Sequence, residues 1–422
     1  MRLRHDMSVL MAALAVMVPT LAFAADPTKA EIVDNWGTGA ERAAVQVIQD
    51  AFAARGGQLT STVVSDGIQV MSSTVDRILA GDPPTAATFT PSSLYFDLEN
   101  KGQLNDIDDV ATADHWRDVL PPYVVESISY KGKIYIVPVS MTVTNWVYSN
   151  KELLAKAGVA ALPKDYGDAF FAALDKLKGA GITPIGMGGT ATVYRWVFES
   201  VMQTMGGRDL WLAVWDRKDE KAVRGPAMRK VFETFKRLRD YSDPGYSGRS
   251  WATATDLVVA GKAAISITGD WGKAEFVAAG KVPGKDFDCS LQGNPPMFVI
   301  HGDMFGFPKS TDPKVIAAQK LFARTVFDPA VQLKYNLIKS GSPARTDLDV
   351  ANNPQFDVCA KQAAAAYNNG QDVLGSPQWY LTPDGVGAFT DMLADYFNYP
   401  EMSTDQVVQQ FWTLLSGDHV QH

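Results

Sequence analysis

Histidine and cysteine are scarce in this chain: five and two among 422 residues. That scarcity excludes a good deal. His5 lies in an N-terminal export segment described below, and His419 and His422 sit at the C-terminus, where order is usually lost. His115 and His301 remain, and neither has a partner at metal-ligand spacing, so no metal site is expected. A serine-based triad needs one of them, yet the chain has no Gly-x-Ser-x-Gly elbow. It also lacks a Gly-x-x-x-x-Gly-Lys-Ser/Thr loop. Gly37-x-Gly39 follows a strand, but Arg42 holds the third glycine position, so the dinucleotide fingerprint fails. Gly186-Met-Gly-Gly189 is glycine-rich without the required context. No cofactor is expected. Basic charge is short as well, with 39 Lys and Arg against 47 Asp and Glu. Nucleic-acid affinity comes from neutralising phosphates, so no nucleic-acid partner is expected. An anionic lipid surface is equally unsuited.

Long apolar runs are missing except at the N-terminus. Arg2 and Arg4 precede an apolar run from Val9 to Ala22, and Ala22-Phe23-Ala24 supplies a signal-peptidase pattern. The run is short for a membrane span, which takes roughly 20 apolar residues. Residues 1–24 therefore read as a cleaved signal peptide, with a retained anchor helix as the alternative. The mature chain then starts near Ala25, outside the cytoplasm. No Cys stands at the junction for a lipid anchor. A chain near 400 residues exceeds what one core usually organises, so two domains are expected. In an oxidising compartment the isolated pair Cys289 and Cys359 reads first as a disulfide. Two buried free thiols are the alternative.

What is present is an α/β rhythm. Glu31–Trp36 reads as a strand, Glu41–Ala54 as a helix and Leu59–Val64 as a strand. Val70–Ala80 reads as a helix and Ala86–Phe89 as a strand. The order argues for a parallel sheet with covering helices. Tyr130-Lys-Gly-Lys133 is a tight turn feeding the run Ile134–Val139. Further helices are expected at Lys151–Gly158, Tyr166–Gly179, Pro313–Val326 and Gly385–Phe397, with a broken helical stretch over Trp211–Tyr241. Short strands are expected at Ile182–Ile185 and Ala263–Ile267.

Aromatic residues stand at telling places. Trp36 closes the first strand just before a helix, the edge where open α/β sheets bind ligands, and Trp271 follows a strand end in the same way. A sugar offers a C–H face and a rim of hydroxyls. It needs an aromatic plate for the one and charged or polar groups for the other, carboxylate bonds to hydroxyls being charge-assisted. Glu41, Asp270, Asp303 and Lys339 lie near element ends and qualify for the rim. Each has a plainer reading: a tryptophan as core, Asp270 as a helix cap, Lys339 as a solvated loop lysine. Nothing fixes two carboxylates across a scissile bond, as a glycosidase requires.

Several stretches together carry a resemblance. They are Trp36-Gly-Thr-Gly-Ala-Glu41, Ala80-Gly-Asp-Pro-Pro-Thr85, Thr144-Asn-Trp-Val-Tyr-Ser-Asn-Lys151, Gly181-Ile-Thr-Pro-Ile185, Ser247-Gly-Arg-Ser-Trp251, Gly261-Lys-Ala-Ala264 and Gly269-Asp-Trp271. In the C-terminal half, Asp303-Met-Phe-Gly-Phe-Pro-Lys309 and Ser342-Pro-Ala-Arg-Thr-Asp347 follow. In this order they resemble the extracellular solute-binding proteins of bacterial ABC sugar importers, closest to the glucose-binding branch. The two cysteines sit in similar contexts. The resemblance implies an α/β fold, the two-lobe periplasmic binding protein fold with a hinged central cleft. Lobe 1 is expected from residues 25–140 plus 302–343, and lobe 2 from 141–301 plus 344–422. The chain should cross between them near 138–144, 299–304 and 341–348. Trp36 and Trp271 match aromatic pocket positions; Glu41, Asp303 and Lys339 match polar ones. The chain departs from the glucose-binding pattern at Thr88, at Thr142 and at Trp379, the last in Gly375-Ser-Pro-Gln-Trp379. Those departures point towards a larger or modified sugar. The implied protein is a periplasmic, monomeric, non-enzymatic receptor. It would capture a mono- or disaccharide or a derivative with high affinity and deliver it to inner-membrane ABC permease subunits. The alternatives are a secreted glycosidase or lyase, or a binding protein for a polyol, oligosaccharide or opine.

Overall fold

The computed structural model describes residues 28–64, 67–369 and 373–418. The expected signal segment 1–24, His5, His419 and His422 lie outside them.

The N-terminal rhythm folds as βαβαβ. Strand Thr28–Asp34 pairs in parallel with Gly57–Val63, Ile32 opposite Ser61, and on its other side with Ala86–Thr88, Ile32 opposite Ala86. Helix Gly39–Ala54 begins with a capping box. Thr38 Oγ1 accepts from Glu41 N, and Glu41 Oε2 accepts from Thr38 N, satisfying two orphan helix donors at once. The helix buries Ala44, Val45, Ile48 and Phe52 on one face. Gly57 starts the next strand because nothing larger fits, as a Cβ there would lie 2.1 Å from the Phe52 ring. Helix Gly67–Ala80 then returns the chain to Ala86.

The three N-terminal strands pair in parallel as expected, but the sheet as a whole is mixed. Its order runs Ser342–Pro343, Ile136–Thr142, Phe298–Gly306, Ala86–Thr88, Thr28–Asp34, Gly57–Val63. Phe298–Gly306 is antiparallel to both of its neighbours in that order. Alternating β and α segments identify parallel units, but sequence order does not say where a strand some two hundred residues later inserts. Pro138, with no N–H for the ladder, stands opposite Met304, and the register shifts between Asp303 and Met304. The segments expected to cross between lobes thus lie on three adjacent strands. The turn at residues 130–133 forms with Lys131 and Gly132 both at positive φ (48° and 80°), the geometry of a two-residue hairpin loop.

A second, smaller antiparallel sheet has Trp146–Asn150 between Ile265–Thr268 and Phe287–Leu291. The strand expected at Ile182–Ile185 is not one. Only Ile185 makes bridges, to Ser242 and Ile265, and Pro184 supplies no N–H to extend a ladder. Around this sheet packs helix Ala191–Trp215, kinked at Gly207 (φ 64°). It joins helices Pro226–Arg237, Pro383–Asn398 and Thr404–Gly417 in an aromatic core of Phe198, Trp215, Phe232, Phe389 and Phe411. Cys289 and Cys359 form a disulfide, Cα atoms 5.8 Å apart, tying strand Phe287–Leu291 to helix Val358–Asn369. Among the described residues no helix is long and apolar enough to cross a membrane.

Candidate functional site

Four elements bring four of the sequence-selected residues together. Trp36 follows the first strand, and its N–H donates to Asp34 Oδ1. Its ring meets Phe305 and Tyr335 edge-on at 5.5 and 6.1 Å. Lys339 closes helix Pro329–Lys339 ahead of Ser340 in the left-handed conformation. Its Nζ lies 2.8 Å from Glu41 Oε1, 3.9 Å from Asp303 Oδ2 and 5.1 Å from the Trp36 ring centroid. The solvated-loop reading of Lys339 is thereby corrected: the side chain is 3% exposed, because three groups that favour a cation surround it. Asp303, on strand Phe298–Gly306, also accepts from the Tyr335 hydroxyl at 2.8 Å.

The electrostatics follow from burial and this one cation. Burial is the largest influence on Glu41 and pushes its carboxyl up, but the Lys339 charge and the bonds from Lys339 and Thr38 outweigh it, so its pKa ends below the usual range. Asp303 is held above its usual range by burial, which Lys339 and Tyr335 only partly offset. Tyr335 itself is pushed well up by burial and the adjacent Asp303. Sequence reasoning did not select Tyr335. The signal was its place four residues before Lys339, on the same helix face.

Trp271 opens helix Trp271–Ala278, which packs onto helices Gly39–Ala54 and Pro329–Lys339. Its ring lies 4.7 Å from Trp196 and 6.3 Å from Trp251. The indole N–H is buried without a partner. One turn on, Glu275 approaches Thr38, Glu41 and Lys339, and burial raises its pKa. The Trp271 helix therefore faces the Lys339 cluster. Asp270 does not cap that helix, a second correction. Its carboxylate accepts from Val143 N at 2.6 Å and Trp146 Nε1 at 2.8 Å, and burial pushes its pKa up to about 7. It ties the Trp271 helix to the segment leaving strand Ile136–Thr142. Thr88 ends strand Ala86–Thr88, opposite Phe305. Thr142 is buried opposite His301. Trp379 sits in the turn Pro377–Tyr380, its ring over the backbone of Gly375 and its indole N–H buried without a partner.

A second charged cluster escaped the sequence reading. His301 Nε2 lies 2.9 Å from Glu199 Oε2, and Glu199 Oε1 accepts from Arg195 Nη1 at 3.1 Å. The fourfold spacing of Arg195, Glu199 and Gln203 was the available signal.

A sequence model of the bacterial extracellular solute-binding proteins matches residues 48–365. The chain belongs to that family. Its family binds solutes, and the chain is a binding protein rather than an enzyme. Among similar sequences is a probable sugar-binding periplasmic protein of Brucella suis, 34% identical over 94% of each chain. Another of the same description, from Rhizobium meliloti, is 32% identical over 97% of this chain and 98% of its own. In fold the solute-binding protein is similar to a chitin oligosaccharide binding protein, with a TM-score of 0.79 at 18% identity, covering 93% of this chain and 99% of the other. It is also similar to a protein described as maltose-bound T. maritima MalE3, with a TM-score of 0.74 at 16% identity and coverage of 92% of this chain and 99% of the other. The architecture is thus the two-lobe fold of solute receptors.

Proposed function

We propose that this protein is the periplasmic sugar receptor of an ABC importer. It captures a sugar between its lobes with high affinity and hands it, as a monomer, to permease subunits in the inner membrane. The signal segment 1–24 exports it. The lobes comprise residues 25–140 with 302–343 and residues 141–301 with 344–422, and the three adjacent strands described above form the hinge. One observation carries the reading: Trp36, Asp303 and Lys339 converge at the hinge strand, directly facing the helix that carries Trp271. Aromatic faces there cover the C–H side of a pyranose, and the charged groups replace water lost by its hydroxyls, which are costly to bury unpaired. Glu41 has both oxygens engaged, so it acts by holding Lys339. The unpartnered indole N–H groups of Trp271 and Trp379 are further donors to hydroxyls, and Thr88 lines the strand end nearest Phe305. The departures at Thr88, Thr142 and Trp379 fit a ligand larger than glucose. Sugar-binding relatives at one-third identity support the class.

A thermal-shift screen with monosaccharides, disaccharides, polyols and sugar acids tests this. A true ligand at 100 times its Kd stabilises by about 2.7 kcal/mol. A folded protein whose melting point no carbohydrate shifts refutes the reading.

A further inference from the structure

The Lys339 cluster is not the only group of buried charged side chains at the strand Phe298–Gly306. The other comprises Arg195, Glu199, His301 and Gln378. With the Gln378 amide turned to suit its surroundings, its oxygen accepts from Arg195 Nη1 at 3.2 Å and Nη2 at 3.1 Å. Three neighbours fix where this cluster lies. Arg195 adjoins Trp196, whose ring meets Trp271. His301 and Asp303 are two apart on one strand and project from one face. Gln378 adjoins Trp379. The side chains of Arg195 and His301 are 6% and 10% exposed, against 3% for Lys339 and 11% for Asp303. The two clusters are therefore buried to similar depth, and the strand Phe298–Gly306 contributes to both.

The chemistry of this second cluster is specific. Glu199 is fully buried and spends one oxygen on Arg195 and the other on His301. A guanidinium has five N–H donors, and the contacts above leave Nε–H and one Nη2–H unspent. With its Nε2–H donating to Glu199, a neutral His301 presents Nδ1 as an acceptor. Donors and an acceptor thus stand together while the Arg195 and Glu199 charges cancel. Adjacent sugar hydroxyls match that set, one accepting from Arg195 and the next donating to His301. The unspent Nε–H and Nη2–H would also suit a carboxylate as a fork, so rejection of a sugar acid rests on the charge balance and not on donor geometry. At the other cluster Glu41, Asp303 and Glu275 share the single cation Lys339, which disfavours an anion further.

We propose that Arg195, His301 and Gln378 form a second recognition station that reads adjacent hydroxyls of a neutral sugar, and that Glu199, by cancelling the Arg195 charge, makes the cleft reject sugar acids. This rests on the sugar-capture reading. The test is calorimetric titration of the full mature chain with D-glucose, D-galactose, maltose, raffinose, D-glucuronate and D-galacturonate. The wild type is expected to bind a neutral probe at least tenfold more tightly than either uronate. Arg195→Met is expected to weaken the best neutral probe at least tenfold, with circular dichroism unchanged. Should that variant not fold, Arg195→Lys keeps the charge beside Glu199 but loses the planar fork, and is expected to weaken binding in the same direction. Glu199→Gln, nearly isosteric, leaves the guanidinium charge uncancelled and is expected to raise uronate affinity relative to the neutral probe at least tenfold. A wild type that prefers a uronate, or a folded Arg195 variant within twofold of wild type, overturns the station. Absence of binding to every probe instead refutes sugar capture itself.

Discussion

Replacing Lys339 with Met removes one charge and keeps most of the side-chain volume, so its consequences are electrostatic. In the native protein the ammonium lies 2.8 Å from Glu41 and 3.9 Å from Asp303. At an effective dielectric of 20 those contacts have gross Coulomb energies of about 6 and about 4 kcal/mol. Desolvation of the three charged groups takes back much of that. What the variant exposes is the cost of two buried carboxylates left without their cation, on the order of 3–5 kcal/mol for a broken buried pair. The sign with pH follows from linkage. Without Lys339 the Glu41 carboxyl loses the largest influences that hold its pKa down and keeps only the Thr38 bonds against burial, and Asp303, already raised by burial, rises further. A folded-state pKa raised above the unfolded one gives stability that is present at low pH and lost as pH rises through the folded value. The deficit of Lys339→Met is therefore expected to be largest at pH 8 and to shrink towards pH 4.5. Urea unfolding of both proteins at pH 4.5, 6 and 8 measures it. A deficit below 1 kcal/mol at pH 8, or one that does not change with pH, refutes the placement of Lys339 as the cation for both carboxylates. Sugar affinity is expected to fall in step, because Asp303 then takes up a proton and accepts fewer hydroxyl bonds.

Other perturbations have equally definite outcomes. Glu99, 5% exposed in helix Ser93–Asn100, has its carboxyl pushed up to about 7 by burial. Its stability contribution is therefore lost between about pH 4.5 and 7. Glu99→Gln is expected to exceed wild-type stability by about 3 kcal/mol at pH 8 and not at pH 4.5, and an equal gain at both would contradict the assignment. Replacing both Cys289 and Cys359 by Ser opens a loop closed across a separation of 70 residues, at a cost of about 4 kcal/mol, or roughly 5 °C in Tm for a chain of this size. An unchanged Tm would show that the bridge does not constrain the unfolded chain. Trp36→Ala and Asp303→Ala are expected to abolish or severely weaken binding in calorimetry while circular dichroism persists; unchanged affinity in both variants moves the ligand elsewhere. Small-angle scattering is expected to show a smaller radius with saturating ligand, and superimposable profiles would count against closure.

The sequence announced elements where turn chemistry and hydrophobic period agree. Phe52 followed by Gly56-Gly57 marks a helix end, and Lys131-Gly132 marks a hairpin. It was silent where tertiary packing overrides local pattern. Helix Ala191–Trp215 carries buried Arg195, Glu199 and Gln203 at a spacing of four. A polar stripe in a buried helix blurs the amphipathic period: Arg195 and Glu199 pair within the helix, and His301, the further partner of Glu199, comes from a strand a hundred residues away. Asp270 had the position of a cap, but its carboxylate serves the Val143 amide and the Trp146 indole, and neither is predictable from local sequence. Lys339 sits next to Ser340-Gly341, which suggests a loop; only the folded arrangement of Glu41, Asp303 and Trp36 explains its burial. Lys339 ends its helix and Trp36 follows the first strand, as expected, but Asp303 lies inside strand Phe298–Gly306 rather than at an element end, and it was legible through the family resemblance.

The strand Phe298–Gly306 joins the two polar clusters. His301 reaches Glu199 on the long helix, and Asp303 reaches Tyr335 and Lys339 on another. Two residues of strand rise separate them by about 6.6 Å, a span that the rim of a single pyranose bridges. Gly302 lies between the two, where a Cβ would stand 2.6 Å from Met304 Cε and 3.0 Å from the Ser140 carbonyl oxygen. No side chain intervenes, so the strand packs flat on Ile136–Thr142 and its next residues can enter the bulge at Asp303 and Met304. Each cluster is thus bonded to a different helix, but both share a backbone that two residues define. A ligand bonded to both clusters would fix the separation of those helices through side chains that the hinge strand already holds. On the proposed reading, recognition and closure would be one event, and a sugar that satisfies only one cluster would have no means of holding the other helix in place.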